Sequence, residues 1–343
     1  MNEQESYQWK VCVKCYTYNQ SIYITDAMNG FTMQQTEFPY VCCIVDDCST
    51  DGEQEVIKKY LQENFDLEDK LVVRNEETED YVHCFAQHKV NKNCFFAVFY
   101  LKYNHYRKKG KIRYISEWFN NAEYIAICEG DDYWTDSTKL QKQAKALDIN
   151  TDCTVCGAGF EIHDIMLKGS IDKTIQGDGS FIFTLADWGN DWYMKTLTIM
   201  YRIGAFKRYI AESSQKKYKN PKDIHVQYHL LKEGNGVYLC ENMGVYNRND
   251  GGIWGGLDER EKVLRDYQMY KELYLKNDKE YNAGRQYFKY ILRALSTPGT
   301  GLSHIHLIKE GLSVDKSLLS IMRLVKHNVL FISRNFVLLF RKD

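Results

Sequence analysis

Proline is scarce in this chain, three residues in 343, and long stiff linkers of the proline-rich kind are thereby excluded. No run of about eighteen apolar residues occurs, and the opening MNEQESYQWK is polar throughout. Neither a membrane span nor a secretion signal is indicated. An excess of one charge is missing as well. The formal net charge is −1, without the basic surplus that binding to a phosphate backbone favours, so nucleic acid is not an expected partner. Internal repeats and low-complexity tracts are also absent.

Ordinary globular composition remains, with 44% hydrophobic and 27% charged residues, enough to bury a substantial core. Eleven cysteines form an odd count, and several lie in strand-like runs such as Val11-Cys12-Val13 and Val41-Cys42-Cys43-Ile44-Val45. Thiols in such runs act as small buried hydrophobes, and a reducing cytoplasm is the expected compartment. Cys12 and Cys15, like Cys153 and Cys156, have a zinc-ligand spacing, but both pairs sit in strand-like segments without the glycines of a zinc knuckle.

Along the chain, residues 10 to 16 read as a strand. Ile24, Met28 and Phe31 then recur at helical spacing, Val41 to Asp46 is a second strand, and Val56, Ile57, Tyr60 and Leu61 mark a second helix. Lys70 to Arg74 reads as a third strand, and residues 75 to 121 as helical crossover and rim. Tyr124 to Cys128 restores a strand, followed by a helix carrying Leu140, Ala144 and Leu147. This alternation predicts an α/β fold whose mostly parallel sheet is flanked by helices and binds ligands at its carboxyl edge. Residues 1–255 are expected to form this domain and residues 256–343 a helical appendage.

Two acidic clusters fall where strands end: Asp46-Asp47-Cys48-Ser49-Thr50-Asp51-Gly52 and Glu129-Gly130-Asp131-Asp132-Tyr133-Trp134. Alone, the first is accounted for as a helix cap. The second holds more carboxylates than a cap uses. Beside an anionic diphosphate, carboxylates make chemical sense when a hard cation, Mn²⁺ or Mg²⁺, lies between them.

Together with Val11 to Asn19 (VCVKCYTYN) and Tyr124 to Gln143 (YIAICEGDDYWTDSTKLQKQ), the Asp46 to Gly52 stretch resembles the family-2 glycosyltransferases of GT-A fold, close to bacterial members acting on surface polysaccharides. The resemblance implies an inverting transfer of a sugar from a nucleotide-diphosphate sugar donor to the hydroxyl of a glycan or lipid-linked acceptor. It implies that Thr17, Tyr18, Asn19, Asp46, Asp47 and Ser49 line the nucleotide pocket, with Asp47 at the base. Asp131 would face the ribose or sugar, and Asp132 would bind the metal. Glu129 stands where the family more often has Asp. Asp223 is the best-placed match to the family's general base, with Asp187 and Asp191 behind it, although helix capping would also account for Asp223. Val245 to Trp254 is similar to the family's closing loop, with Asn247 and Asn249 in its Arg and His places and Arg248 as the diphosphate contact.

His225 and His229 are spaced like a metal pair, but no glutamate of the zinc-protease motif lies between them, so packing is the simpler reading. In the tail, Leu318, Met322, Val325, Val329, Ile332 and Phe336 recur at helical steps among Arg323, Lys326, Arg334, Arg341 and Lys342. Such a helix either packs on the rest of the chain or docks peripherally on the inner face of a membrane. Two other classes stay open. A sugar nucleotidyltransferase would need a Gly-rich phosphate loop after the first strand, where Cys15-Tyr16-Thr17-Tyr18-Asn19 has no glycine. A non-catalytic carbohydrate-binding protein would suit the many aromatics.

Overall fold

The computed structural model describes residues 7–106, 110–164, 169–190, 194–219, 221–248 and 256–339, the side chains only as far as 329 in the last stretch. Strand β1 (Trp9–Thr17) leads into α1 (Ile24–Thr32), β2 (Tyr40–Asp46), α2 (Glu53–Asn64) and the short β3 (Phe65–Asp66). Strands β4 (Arg74–Glu77), β5 (Tyr81–His88) and β6 (Cys94–Leu101), the short α3 (Ser116–Asn120), β7 (Ala122–Ile127), β8 (Tyr133–Trp134) and α4 (Lys139–Ile149) follow. Then come β9 (Cys153–Asp164), β10 (Gly169–Asp172), β11 (Ser180–Phe183), α5 (Leu185–Gly189), β12 (Met200–Arg202), α6 (Ile203–Lys216), α7 (Asp223–Glu233) and β13 (Asn235–Arg248). Helices α8 (Glu259–Lys276), α9 (Tyr281–Ser296), α10 (His304–Val314) and α11 (Leu318–Leu339) complete the chain.

Two compact units result. The first comprises residues 1–183, 194–210 and 229–248, the second residues 184–193, 211–228 and 249–343.

In the first unit the described strands form one mixed sheet of order β11-β13-β9-β12-β7-β1-β2-β6-β5-β3. Its centre, β7-β1-β2-β6, is parallel, and this is the βαβ part read from the sequence. Beyond it β5 and β12 run antiparallel to their neighbours, while β9 and β13 pair in parallel again, so the sheet is mixed and its longest parallel run is in the middle. Central strands buried on both faces explain the unbroken apolar runs: all of Tyr40–Asp46 is buried. On one face α1, α2 and α4 set Ile24, Met28, Phe31, Ile57, Leu61, Leu140 and Leu147 against Val11, Val13, Cys42, Ile44 and Phe96. The four Cys-x-x-Cys thiols are buried, and burial pushes that of Cys15 far up.

Two expectations are corrected here. Lys70 to Val73 is no strand: Asp69 accepts the amides of Val72 and Val73 on its carbonyl, at 3.1 and 2.8 Å, and that of Leu71 on its side chain at 2.9 Å. The turn leaves Leu71 almost wholly exposed, and pairing starts only at Arg74, antiparallel to β5. Residues 75 to 121, read as crossover and rim, contain β5 and β6, the latter parallel to β2 from Tyr40↔Cys94 to Asp46↔Tyr100.

Beneath the second acidic cluster lies an unusual core residue. Lys139, wholly buried, donates to Gln143 Oε1 at 2.6 Å and sits 4.2 Å over the Trp134 ring. Burial pushes its pKa down to about 8. A lysine whose folded value lies below its unfolded one penalises the fold in its charged form, fully below pH 8, and the penalty disappears as pH rises towards the unfolded value near 10.5. Relative to Lys139→Met, the wild type should therefore gain about 3 kcal/mol between pH 7 and the alkaline limit, read from paired denaturant titrations. A constant difference would refute the buried cation.

The second unit is helical. Val263, Tyr267, Tyr270, Leu273, Tyr287, Ile291 and Leu295 form the buried faces of α8 and α9. Asp258 caps α8 by accepting the Glu261 amide at 2.8 Å.

Candidate functional site

The carboxyl ends of β1, β2 and β7 lie side by side in the first unit. Thr17 pairs with Asp46 across β1 and β2. The loop after β7 is drawn back onto β1 by Cys128 N–H to the Lys14 carbonyl and Gly130 N–H to the Tyr16 carbonyl, each 3.2 Å. Gly130 is required by that approach, because a Cβ there would collide with Thr17 Oγ1 and lie 2.6 Å from Gln20 Oε1. The stretches Thr17–Asn19, Asp46–Ser49 and Glu129–Asp132 thus meet at one edge, as the sequence motifs anticipate. Both of the first two loops turn through left-handed residues, Asn19 (φ 53°) and Cys48 (φ 65°), a conformation easy for Asn and costly for Cys.

Glu53, the first residue of α2, ties the two loops together. Wholly buried, it accepts from Thr17 Oγ1, from the Gln20 amide at 2.9 Å and from Ser49 Oγ at 2.8 Å. Desolvation raises its pKa despite those donors. Ser49 Oγ in turn accepts the Asn19 amide at 2.9 Å, and Asn19 Oδ1 accepts the Thr50 amide at 2.8 Å. Tyr18 is left largely exposed. Asp46 Oδ1 takes the Ser49 amide at 3.1 Å and Gln54 Nε2 at 2.6 Å, whereas its buried Oδ2 has no hydrogen-bond partner.

Asp47 is held by the segment after β6. Its Oδ1 accepts the His105 amide at 2.8 Å and lies 3.2 Å from His105 Nδ1. Oδ2 accepts from Lys111 Nζ at 3.0 Å. His105 Nε2 lies 3.1 Å from the Tyr114 hydroxyl, so the aromatic insertion builds the wall behind the second motif aspartate.

In the third loop Asp132 is buried and Oδ1 accepts the Asn247 amide at 3.0 Å, while Asn247 Nδ2 donates to the Asp131 carbonyl at 2.7 Å. Desolvation pushes the Asp132 pKa far up, the Asp131 charge pushes it further, and Lys195 and the Asn247 amide oppose this. Glu129 accepts the Tyr16 amide at 3.3 Å and faces Lys14 Nζ at 3.7 Å. Arg248 is half exposed and reaches Asp164 Oδ2 at 3.1 Å.

Asp223 opens α7 and belongs to the second unit. Its charge contributes to raising Asp266, which burial pushes up to about 6 in spite of Arg293 and Lys222. Asp187 is engaged as a helix cap, accepting the Thr184 amide at 2.7 Å and hydroxyl at 2.8 Å. Asp191 and Asn249 lie outside the described residues. His225 and His229 are buried against Tyr218 and Tyr209, packing residues as their spacing without glutamate suggested. Sequence reasoning missed Glu53, His105 and Lys111. Of these only Glu53, a carboxylate directly after the first motif, carries a local signal, and it reads there as an ordinary partner of the helix dipole.

Residues 12–82 match the glycosyl transferase family 2 domain, a span holding the first two loops but not the third. The fold resembles that of S. aureus TarS residues 1–349, with a TM-score of 0.51 at 16% identity over 94% of this chain and 80% of that one. A longer S. aureus TarS chain gives 0.52 at 15% identity, over 93% of this chain and 48% of that one. Uncharacterized proteins of Mycobacterium tuberculosis and Mycobacterium bovis are 29% identical over 244 residues, 69% of this chain and 58% of theirs, so the match spans little more than half of those relatives. The chain thus has the mixed sheet and strand-end loops of a GT-A fold, and residues 12–82 within it are similar to the glycosyl transferase family 2 domain.

Proposed function

We propose that this chain is a glycosyltransferase that moves a sugar, with inversion, from a nucleoside-diphosphate sugar to a hydroxyl of a glycan or lipid-linked acceptor in surface-polysaccharide synthesis. The observation that carries the proposal is the meeting of the Thr17, Asp46 and Asp132 loops at one sheet edge, where α/β sheets bind ligands. A structure of S. aureus TarS with UDP, TM-score 0.50, is consistent with a nucleoside-diphosphate donor.

The donor set suits a divalent cation whose shell the substrate completes. Among the described residues no group of three or more His, Cys, Asp or Glu side chains could hold a metal ion by itself. A single buried carboxylate, Asp132, with Asp131 beside it suits Mn²⁺ or Mg²⁺ completed by diphosphate oxygens and water. When bound, such an ion neutralises charge on the departing diphosphate. Asp132 would hold it, Asp131 would orient the ribose or sugar, and Thr17, Tyr18, Asn19, Asp46, Asp47 and Ser49 would form the nucleotide cradle. Arg248 would exchange Asp164 for a diphosphate oxygen. Asp223 would accept the proton of the acceptor hydroxyl as that oxygen attacks the anomeric carbon.

A panel of nucleotide sugars with Mn²⁺ tests the proposal by thermal shift and by release of nucleoside diphosphate. A stabilising donor at a hundred times its dissociation constant adds about 2.7 kcal/mol. No shift with any donor and no metal-dependent turnover would overturn it. Asp223→Asn should lower transfer about a hundredfold and leave donor binding unchanged. Transfer at the wild-type rate in that variant would remove Asp223 from the base role.

A further inference from the structure

Helix α11 presents two different faces. Ser320 and Leu324, four apart, are 3% and 2% exposed. Ser320 Oγ donates to Asp315 Oδ2 at 2.6 Å, Leu324 packs so closely on Gly311 of α10 that a Cβ there would stand 2.7 Å from it, and Asn328 Oδ1 lies 2.8 Å from His304 Nδ1. On the other side Leu318, Met322, Val325 and Val329 are 74%, 61%, 59% and 56% exposed. Steps of four, three and four residues put these four side chains in one row. Packing therefore accounts for one face and leaves the apolar row outside.

What covers that row is decided by charge. From Lys316 to Lys342 the chain carries Lys316, Arg323, Lys326, Arg334, Arg341 and Lys342 and no Asp or Glu. A second copy of the helix would bring the same cations against these, which is repulsive. An anionic bilayer surface supplies both an apolar layer for the row and negative headgroups for its flanks. Among the described residues no helix is long and apolar enough to cross a membrane.

We propose that α11 is an interfacial anchor, with Leu318, Met322, Val325 and Val329 in the headgroup–acyl boundary of an anionic membrane and Arg323 and Lys326 on its phosphates. The test is co-sedimentation of the full chain with vesicles of phosphatidylglycerol and phosphatidylcholine in equal parts, against phosphatidylcholine alone. Binding is expected only to the first and should weaken with salt. Met322→Glu with Val325→Glu, both at exposed positions, should cut the bound fraction about tenfold or more with no change in melting temperature or donor turnover. Arg323→Gln with Lys326→Gln should flatten the salt dependence. Equal binding by wild type and the glutamate variant, or no binding by wild type, overturns the proposal. A wild-type dimer dispersed by the same glutamates, without vesicle binding, assigns the row to a second copy instead.

Discussion

Asp132→Asn should abolish metal-dependent transfer, by about a thousandfold or more, and at the same time make the protein more stable. The two effects have one cause. Asp132 is buried beside Asp131 with its pKa far above the carboxylate range, so its charge costs the free protein energy that a bound cation would return. Asparagine keeps an oxygen for the Asn247 amide, a 3.0 Å contact in the wild type, and removes the charge. A gain of about 1 kcal/mol is in the range of such relief at functional sites. The decisive reading is differential: Mn²⁺ with a nucleoside diphosphate should raise the melting temperature of the wild type and leave that of the variant unmoved. An Asn variant that is active, or less stable than wild type in metal-free buffer, would separate Asp132 from the cation.

Removing the knot at Glu53 should have the next largest effect. Glu53→Ala withdraws the acceptor of the Gln20 amide and the Ser49 hydroxyl and opens a cavity in the first turn of α2. Thr17 retains an acceptor in Gln20 Oε1 at 2.7 Å, so two donors are left unmet and not three. Both donors are part-buried, so at the lower end of the roughly 1–3 kcal/mol for an unsatisfied group the variant should lose about 2 kcal/mol. Nucleotide affinity should fall with it, because Ser49 also fixes the Asn19 amide. Glu53→Gln keeps an acceptor oxygen and should lose less than half as much. Equal losses in both variants would show that the charge itself, and not the hydrogen bonds, holds the loops.

Much of this site is legible in the sequence because its three loops follow apolar, β-branched runs: Val41-Cys42-Cys43-Ile44-Val45 cannot be exposed, and the acids after it must fall at a strand end. Other parts resisted for physical reasons. Cys94–Leu101 is an unbroken apolar and aromatic run, in which the two-residue period that marks a strand is erased by burial on both faces. Leu71, Val72 and Val73 have strand-like side chains, yet Asp66 and Asp69 capture the local amides in turns, a competition that composition does not reveal. Asn247 was noted only for what it replaces, and its two bonds to the Asp131–Asp132 loop emerge once β13 is seen to pair with β8. His105 and Lys111 reach Asp47 from about sixty positions away along the chain, a distance over which no sequence pattern acts.

The clasp on Asp47 engages both of its oxygens: Lys111 Nζ holds one and His105 lies against the other. Under the proposed reading, a nucleobase imide meeting Asp47 would have to displace or share the Lys111 ammonium, and selectivity among bases would then rest in part on a lysine that neither acidic motif contains.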